Sequence, residues 1–162
     1  LNGDDYVTGP DGTVTIPLIN AGTYSLFAEK SGYVRSDIIQ ITVQPKILAA
    51  IDIDPNALNL KSKGKWITAY IEFPSGYDVA EIDLATVLLE DCVPAENDPK
   101  YGFVKEPSLT DNDKDGVMER MVKFDRDKVK EMLSPGTYSL KVSGLLYNGT
   151  PFEGYSDTIR VI

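Results

Sequence analysis

Histidine is absent from the 162 residues, and cysteine occurs once, as Cys92. Without imidazole there is no commonest general base, no Ser/His or Cys/His nucleophile pair, and no histidine-ligated zinc, copper or haem iron. A single thiol makes neither an internal disulfide nor a multi-thiolate metal site. Positive charge is also scarce: 16 Lys and Arg stand against 25 Asp and Glu, a net charge of -9. Nucleic acid and anionic membrane surfaces both demand a basic face, so neither is an expected partner. No apolar run approaches the roughly 20 residues of a membrane-spanning helix, so membrane insertion is not expected. No basic segment followed by an apolar one reads as a signal peptide. What remains is oxygen chemistry, that of carboxylates, carbonyls and hydroxyls, and the expectation is a protein that is not an enzyme.

What is present is a chain with 42% apolar residues, enough for a packed core, arranged in period-two stretches between Gly, Pro, Asn and Asp. That pattern predicts a mostly β fold. Strands are expected over 13–18, 24–29 and 39–43, with turns at Gly9-Pro10-Asp11-Gly12 and Lys30-Ser31-Gly32-Tyr33. Proline in Gln44-Pro45-Lys46 interrupts the ladder and the pattern restarts after it, which divides the chain into 1–45 and 46–162. In the second part strands are expected over 47–53, 65–73, 86–89, 117–124, 138–145 and 156–162, enough for a sandwich. A short helix is expected over 125–133, capped by Asp125 and stopped by Pro135-Gly136, and a lesser helical turn over 79–84. The whole reads as two small immunoglobulin-like β-sandwich units, the first incomplete and the second with one short helix. Gly22-Thr23-Tyr24-Ser25-Leu26 returns as Gly136-Thr137-Tyr138-Ser139-Leu140, a sign of shared architecture. The chain begins at Leu1 without methionine and so reads as a piece of something larger.

One constellation carries chemistry. Asp111-Asn112-Asp113-Lys114-Asp115-Gly116 sets three carboxylates at alternate positions and ends on a glycine that permits a sharp turn. Calcium takes six to eight oxygens at roughly 2.3–2.6 Å, and a loop of this spacing folds its odd-numbered carboxylates around one ion. The seventh position supplies a backbone carbonyl, here Val117, and the ninth a side chain, here Glu119. The twelfth, where a helix-loop-helix site needs a bidentate glutamate, is Val122, so the loop belongs to a β setting. A further ligand would come from a distant carboxylate, with Asp52 and Asp54 as candidates, from a carbonyl or from water. Magnesium fits less well because its tight octahedron keeps more water. The competing reading is a solvated Asp-Gly hairpin turn with no metal. Against it stands the mutual repulsion of four acids in nine residues, relieved only by Lys114.

Other features are weaker. Asn2-Gly3-Asp4-Asp5 with Asp11 could be the end of a similar loop or a plain terminus. Asn148-Gly149-Thr150 satisfies the glycosylation sequon and is also an ordinary hairpin turn. Trp66 and Tyr70 project to one face of a strand, with Thr68 between them, and such a pair serves either core packing or stacking on sugar rings. No spacing selects a catalytic pair of carboxylates.

From residue 49 onward, the stretches IDIDPNALNLKSKGKWITAYIE, YDVAEIDLATVLL, DNDKDGVMERMVKFDR and NGTPFEGYSDTIRVI together resemble a β module of secreted and cell-surface multidomain proteins of archaea and bacteria. The resemblance implies an extracellular or cell-surface domain of unassigned activity, with the acidic loop as its calcium site. Members often carry a glycine between the second and third aspartates and an aspartate at the ninth position; Lys114 and Glu119 depart from that. GTVTIPLINAGTYSLFAEKSGYVRSDIIQITV resembles the final strands of immunoglobulin-like or carboxypeptidase-regulatory-like modules. The expected function is a calcium-stabilised structural or adhesive module. Its expected partners are the calcium ion and neighbouring domains or protomers, which could assemble through strand contacts. The alternative is a carbohydrate-binding accessory domain of a polysaccharide-degrading enzyme.

Overall fold

The computed structural model describes residues 5–16, 20–105 and 108–162. The chain is mostly β and separates into two compact units, Leu1–Pro45 and Lys46–Ile162. In the first unit, β1 (Gly22–Leu26) pairs antiparallel with β2 (Ile39–Val43). Because side chains alternate, Tyr24, Leu26, Ile39, Ile41 and Val43 share one face of this ribbon, while Thr23, Thr42, Ser25 and Gln40 share the other. The strand expected over 13–18 is not formed at residues 13–16; residues 17 and 18 lie outside the described residues. Asp11 supplies the reason, since its carboxylate accepts from both Thr13 N (3.0 Å) and Thr13 Oγ1 (2.8 Å), and these local bonds compete with a ladder.

The second unit runs β3 (Ile47–Leu48), β4 (Ala50–Asp54), β5 (Ala57–Leu58), β6 (Trp66–Glu72), a 3-10 turn Val79–Glu81, β7 (Ile82–Leu89), β8 (Val93–Pro94) and α1 (Gly102–Lys105). It continues with β9 (Leu109–Thr110), β10 (Glu119–Asp125), α2 (Arg126–Met132), β11 (Gly136–Tyr138), β12 (Lys141–Leu146), β13 (Pro151–Tyr155) and β14 (Ile159–Val161). Three sheets result, ordered β4-β6-β10-β9, β3-β13-β12-β7-β8 and β11-β14-β5. Ile67, Ala69 and Ile71 of β6 and Val122 and Phe124 of β10 point into one core, together with Val87, Leu89, Val142 and Phe152 of the five-stranded sheet. Phe73 meets Phe152 edge-on at 5.2 Å across this interior. No helix among the described residues is long and apolar enough to cross a membrane.

Several expected strands are divided because the chain changes sheets within them. The run over 47–53 splits at Ala49, whose N–H donates to Glu153 O (2.9 Å) just before the chain leaves β13 for β6. The run over 138–145 splits at Ser139 and Leu140, held by Ser156: Leu140 N donates to Ser156 Oγ (3.0 Å) and Ser156 N to Leu140 O (2.9 Å). The helical turn expected over 79–84 is only the 3-10 turn, and strand resumes at Ile82. β13 lies where no strand was expected, and α1 adds a helical turn to the expected helix, α2. Asp125 Oδ1 caps α2 through Asp127 N (2.9 Å) and Lys128 N (3.2 Å), and Val129 is its buried contact.

The repeated pentapeptide has a physical basis. Tyr24 OH donates to Asn20 O (2.6 Å) and Tyr138 OH to Ser134 O (2.9 Å), each four residues upstream. This is the tyrosine-corner device of β sandwiches, in which the ring closes the bend that feeds a strand. At Gly136 a Cβ would press on the Tyr138 ring at 3.3 Å, so the glycine leaves room for it.

The tightest approach in the unit is at the first sheet crossing. A Cβ built on Gly154 would lie 2.1 Å from Ala49 O and 2.6 Å from Ile51 Cγ1. Backbone blocks it, so side-chain adjustment cannot relieve the clash. Gly154→Ala is therefore expected to destabilise the unit by at least about 1–3 kcal/mol, the usual range for overpacking, in urea unfolding monitored by circular dichroism. Wild-type stability for this variant would contradict the crossing.

Candidate metal centre

The outward face of the β4-β6-β10-β9 sheet carries every second residue of its strands: Asp52 and Asp54 on β4, Trp66, Thr68, Tyr70 and Glu72 on β6, and Glu119, Met121, Lys123 and Asp125 on β10. Ile51 and Ile53 face inward as expected. Register sets Asp52 opposite Tyr70 and Ala50 opposite Glu72, while β10 runs antiparallel on the other side with Arg120 opposite Ile71. Glu119 and Glu72 thus meet at the same end of the sheet. The loop 111–118 closes over that end, because it joins β9 to β10 and Glu119 is opposite Thr110.

Within the loop the aspartates fold the backbone around themselves. Asp113 Oδ1 accepts from Asp115 N (3.1 Å), Asp115 Oδ1 from Val117 N (2.8 Å), and Asp111 Oδ2 from Gly116 N (3.2 Å). Lys114 has φ 66° and Gly116 φ 92°, both in the left-handed region that lets the loop turn back. Lys114 occupies the position where the resembling modules often have glycine, the residue that takes this conformation at least cost. Glu119 is 4% exposed and its Oε2 accepts from Asn112 N at 2.6 Å.

Oxygens of Glu72, Asp113 and Asp115 lie within 4.8 Å of one another. Asp52, Glu72, Asp113, Glu119 and Asp157 line a cavity of about 230 Å³, with Tyr70 and Tyr155 in its wall, and no Lys or Arg lines it. Burial raises the Glu119 carboxyl above its ordinary value, with Asp113, Glu72 and Asp52 adding to the rise against the Asn112 N–H. Glu72 is raised by burial and then by Asp115 and Asp113. Tyr70 is raised by burial, then by Asp54, Asp52 and Glu119. All three shifts come first from burial, and the neighbouring carboxylates add to each.

Asp111 Oδ1 is buried and has no hydrogen-bond partner among the described residues. A buried carboxylate oxygen left bare is costly, and a hard cation is what that oxygen, and the surrounding oxygens, would accept. The donors are oxygens only, the kind a hard cation takes. Of the expected ligands, Asp113 and Asp115 group with Glu72, and Glu119 lines the cavity with Asp113; Asp111 is in neither set, and Val117 is held by its N–H to Asp115 Oδ1. Of the two distant candidates, Asp52 reaches the cavity and Asp54 does not. Glu72 and Asp157 were not anticipated; Glu72 was findable from its period-two spacing with Tyr70, whereas Asp157 follows β13, which the pattern did not reveal.

The remaining candidates fall elsewhere. Trp66 and Tyr70 share a face but not a surface, since Trp66 is engaged by Tyr101 and Phe103 while Tyr70 borders the acidic cavity. Asn148 Oδ1 accepts from Thr150 N (2.9 Å) in an exposed turn. Asn2, Gly3 and Asp4 lie outside the described residues, and Asp11 is occupied by Thr13.

Fold and site define a mostly β protein with an acidic, oxygen-only centre where a loop meets the end of a sheet. No protein-family model matches the chain, and no curated protein matches it.

The calcium-free protein has a signature in pH. Glu72 and Glu119 hold their protons more tightly folded than unfolded, so the stability they contribute is complete below the ordinary value of 4.5 and is lost as pH rises through their raised values. Asp91 and Asp98, lowered chiefly by hydrogen bonds from Lys141 and Lys100, oppose this only below the ordinary 3.8. Thermal melting in chelator is expected to shift upward from pH 7 to about pH 5, with a smaller shift in Glu72→Gln. A wild-type melting temperature that falls over this window would contradict the assignment.

Proposed function

We propose that the chain is a calcium-stabilised, non-catalytic structural or adhesive module of an extracellular or cell-surface protein. The observation that carries this reading is the cavity lined by five carboxylates and no cationic side chain, with oxygens of Glu72, Asp113 and Asp115 within 4.8 Å of one another. Calcium bound there would neutralise acids that repel one another and fasten the loop to three strands. It would bind the folded chain alone, so stability would rise by mass action, about 1.4 kcal/mol when free calcium is ten times Kd. Extracellular calcium modules work with Kd of roughly 10⁻⁴–10⁻³ M, which suits a site with exposed ligands such as Asp113 and Asp115.

The module reading also draws on the first unit. An isolated two-stranded ribbon is marginal in water, and the apolar face bearing Ile39 and Ile41, both exposed, suits contact with neighbouring domains or protomers. The absence of histidine and of a nucleophile–base pair in the sequence supports a role without catalysis.

Melting the protein in chelator and in millimolar calcium tests the reading together with Asp113→Asn. Wild type is expected to gain several degrees with calcium. Asp113→Asn is expected to lose most of that gain, yet to equal or exceed wild type in chelator because one repelling charge is gone. Identical melting of the wild type in calcium and in chelator would overturn the proposal.

A further inference from the structure

We draw no further inference here: the strongest candidate, the exposed apolar patch of Phe27, Tyr33 and Val34 in the turn between β1 and β2, carries nothing because its cations Lys30 and Arg35 already lie over the Tyr33 and Phe27 rings beside Glu29, and nothing in the structure shows what covers it.

Discussion

Pairing of β6 with β10 is the constraint on which the second unit depends. Six consecutive pairs, Arg120 with Ile71 through Asp125 with Trp66, fix which side chains of both strands point inward. A slip of one residue would expose Ile67, Ala69 and Ile71, each at most 2% exposed, and bury Tyr70 and Glu72. The same register that builds the core therefore places Trp66 at one end of the outward face and Glu72 at the other. The acidic corner is a consequence of that strand pair.

That alternation also explains why the acidic corner cannot neutralise itself. Glu119 and Arg120 are neighbours in sequence and both 4% exposed, but they point to opposite faces of β10. Glu119 joins the carboxylates, while Arg120 enters the interior, where its Nε and Nη1 have no partner among the described residues. Burial pushes the glutamate up and the arginine down, each away from its charged form. A strand cannot turn adjacent opposite charges toward each other, so the corner needs a charge from elsewhere. On the proposed reading calcium would meet that need, and its tolerance for six to eight irregular oxygens suits ligands drawn from a loop and several strands.

Much of this was legible in the sequence, and what was not has a physical reason. The acidic loop, the Asp125 cap and the proline between the units are local signals, decided within a few residues, and the structure places an acidic corner, a capped helix and a unit division at them. Sheet membership is not local. Ala49 and Leu140 sit inside runs that look like single strands, and only partners far away, Glu153 and Ser156, show where the chain changes sheet. Expected and observed sites differ for the same reason. Glu72 is 39 residues before Asp111 in the numbering, and nothing in its neighbourhood marks it until β6 and β10 are set side by side. The aromatic cluster joins Trp66 with Tyr101 and Phe103 across a comparable gap, so the sequence paired Trp66 with Tyr70 instead.

The central claim is that this corner exists to hold a cation, and diffraction from crystals grown with calcium tests it most directly. The account predicts one anomalous peak among oxygens of Asp111, Asp113, Asp115 and Glu119 and the Val117 carbonyl, with Asp111 Oδ1 in contact with the ion and Glu72 or Asp52 completing the shell directly or through water. Ordered density for the loop with no peak in the corner at millimolar calcium, and Asp111 Oδ1 turned to a protein or water donor instead, would contradict it.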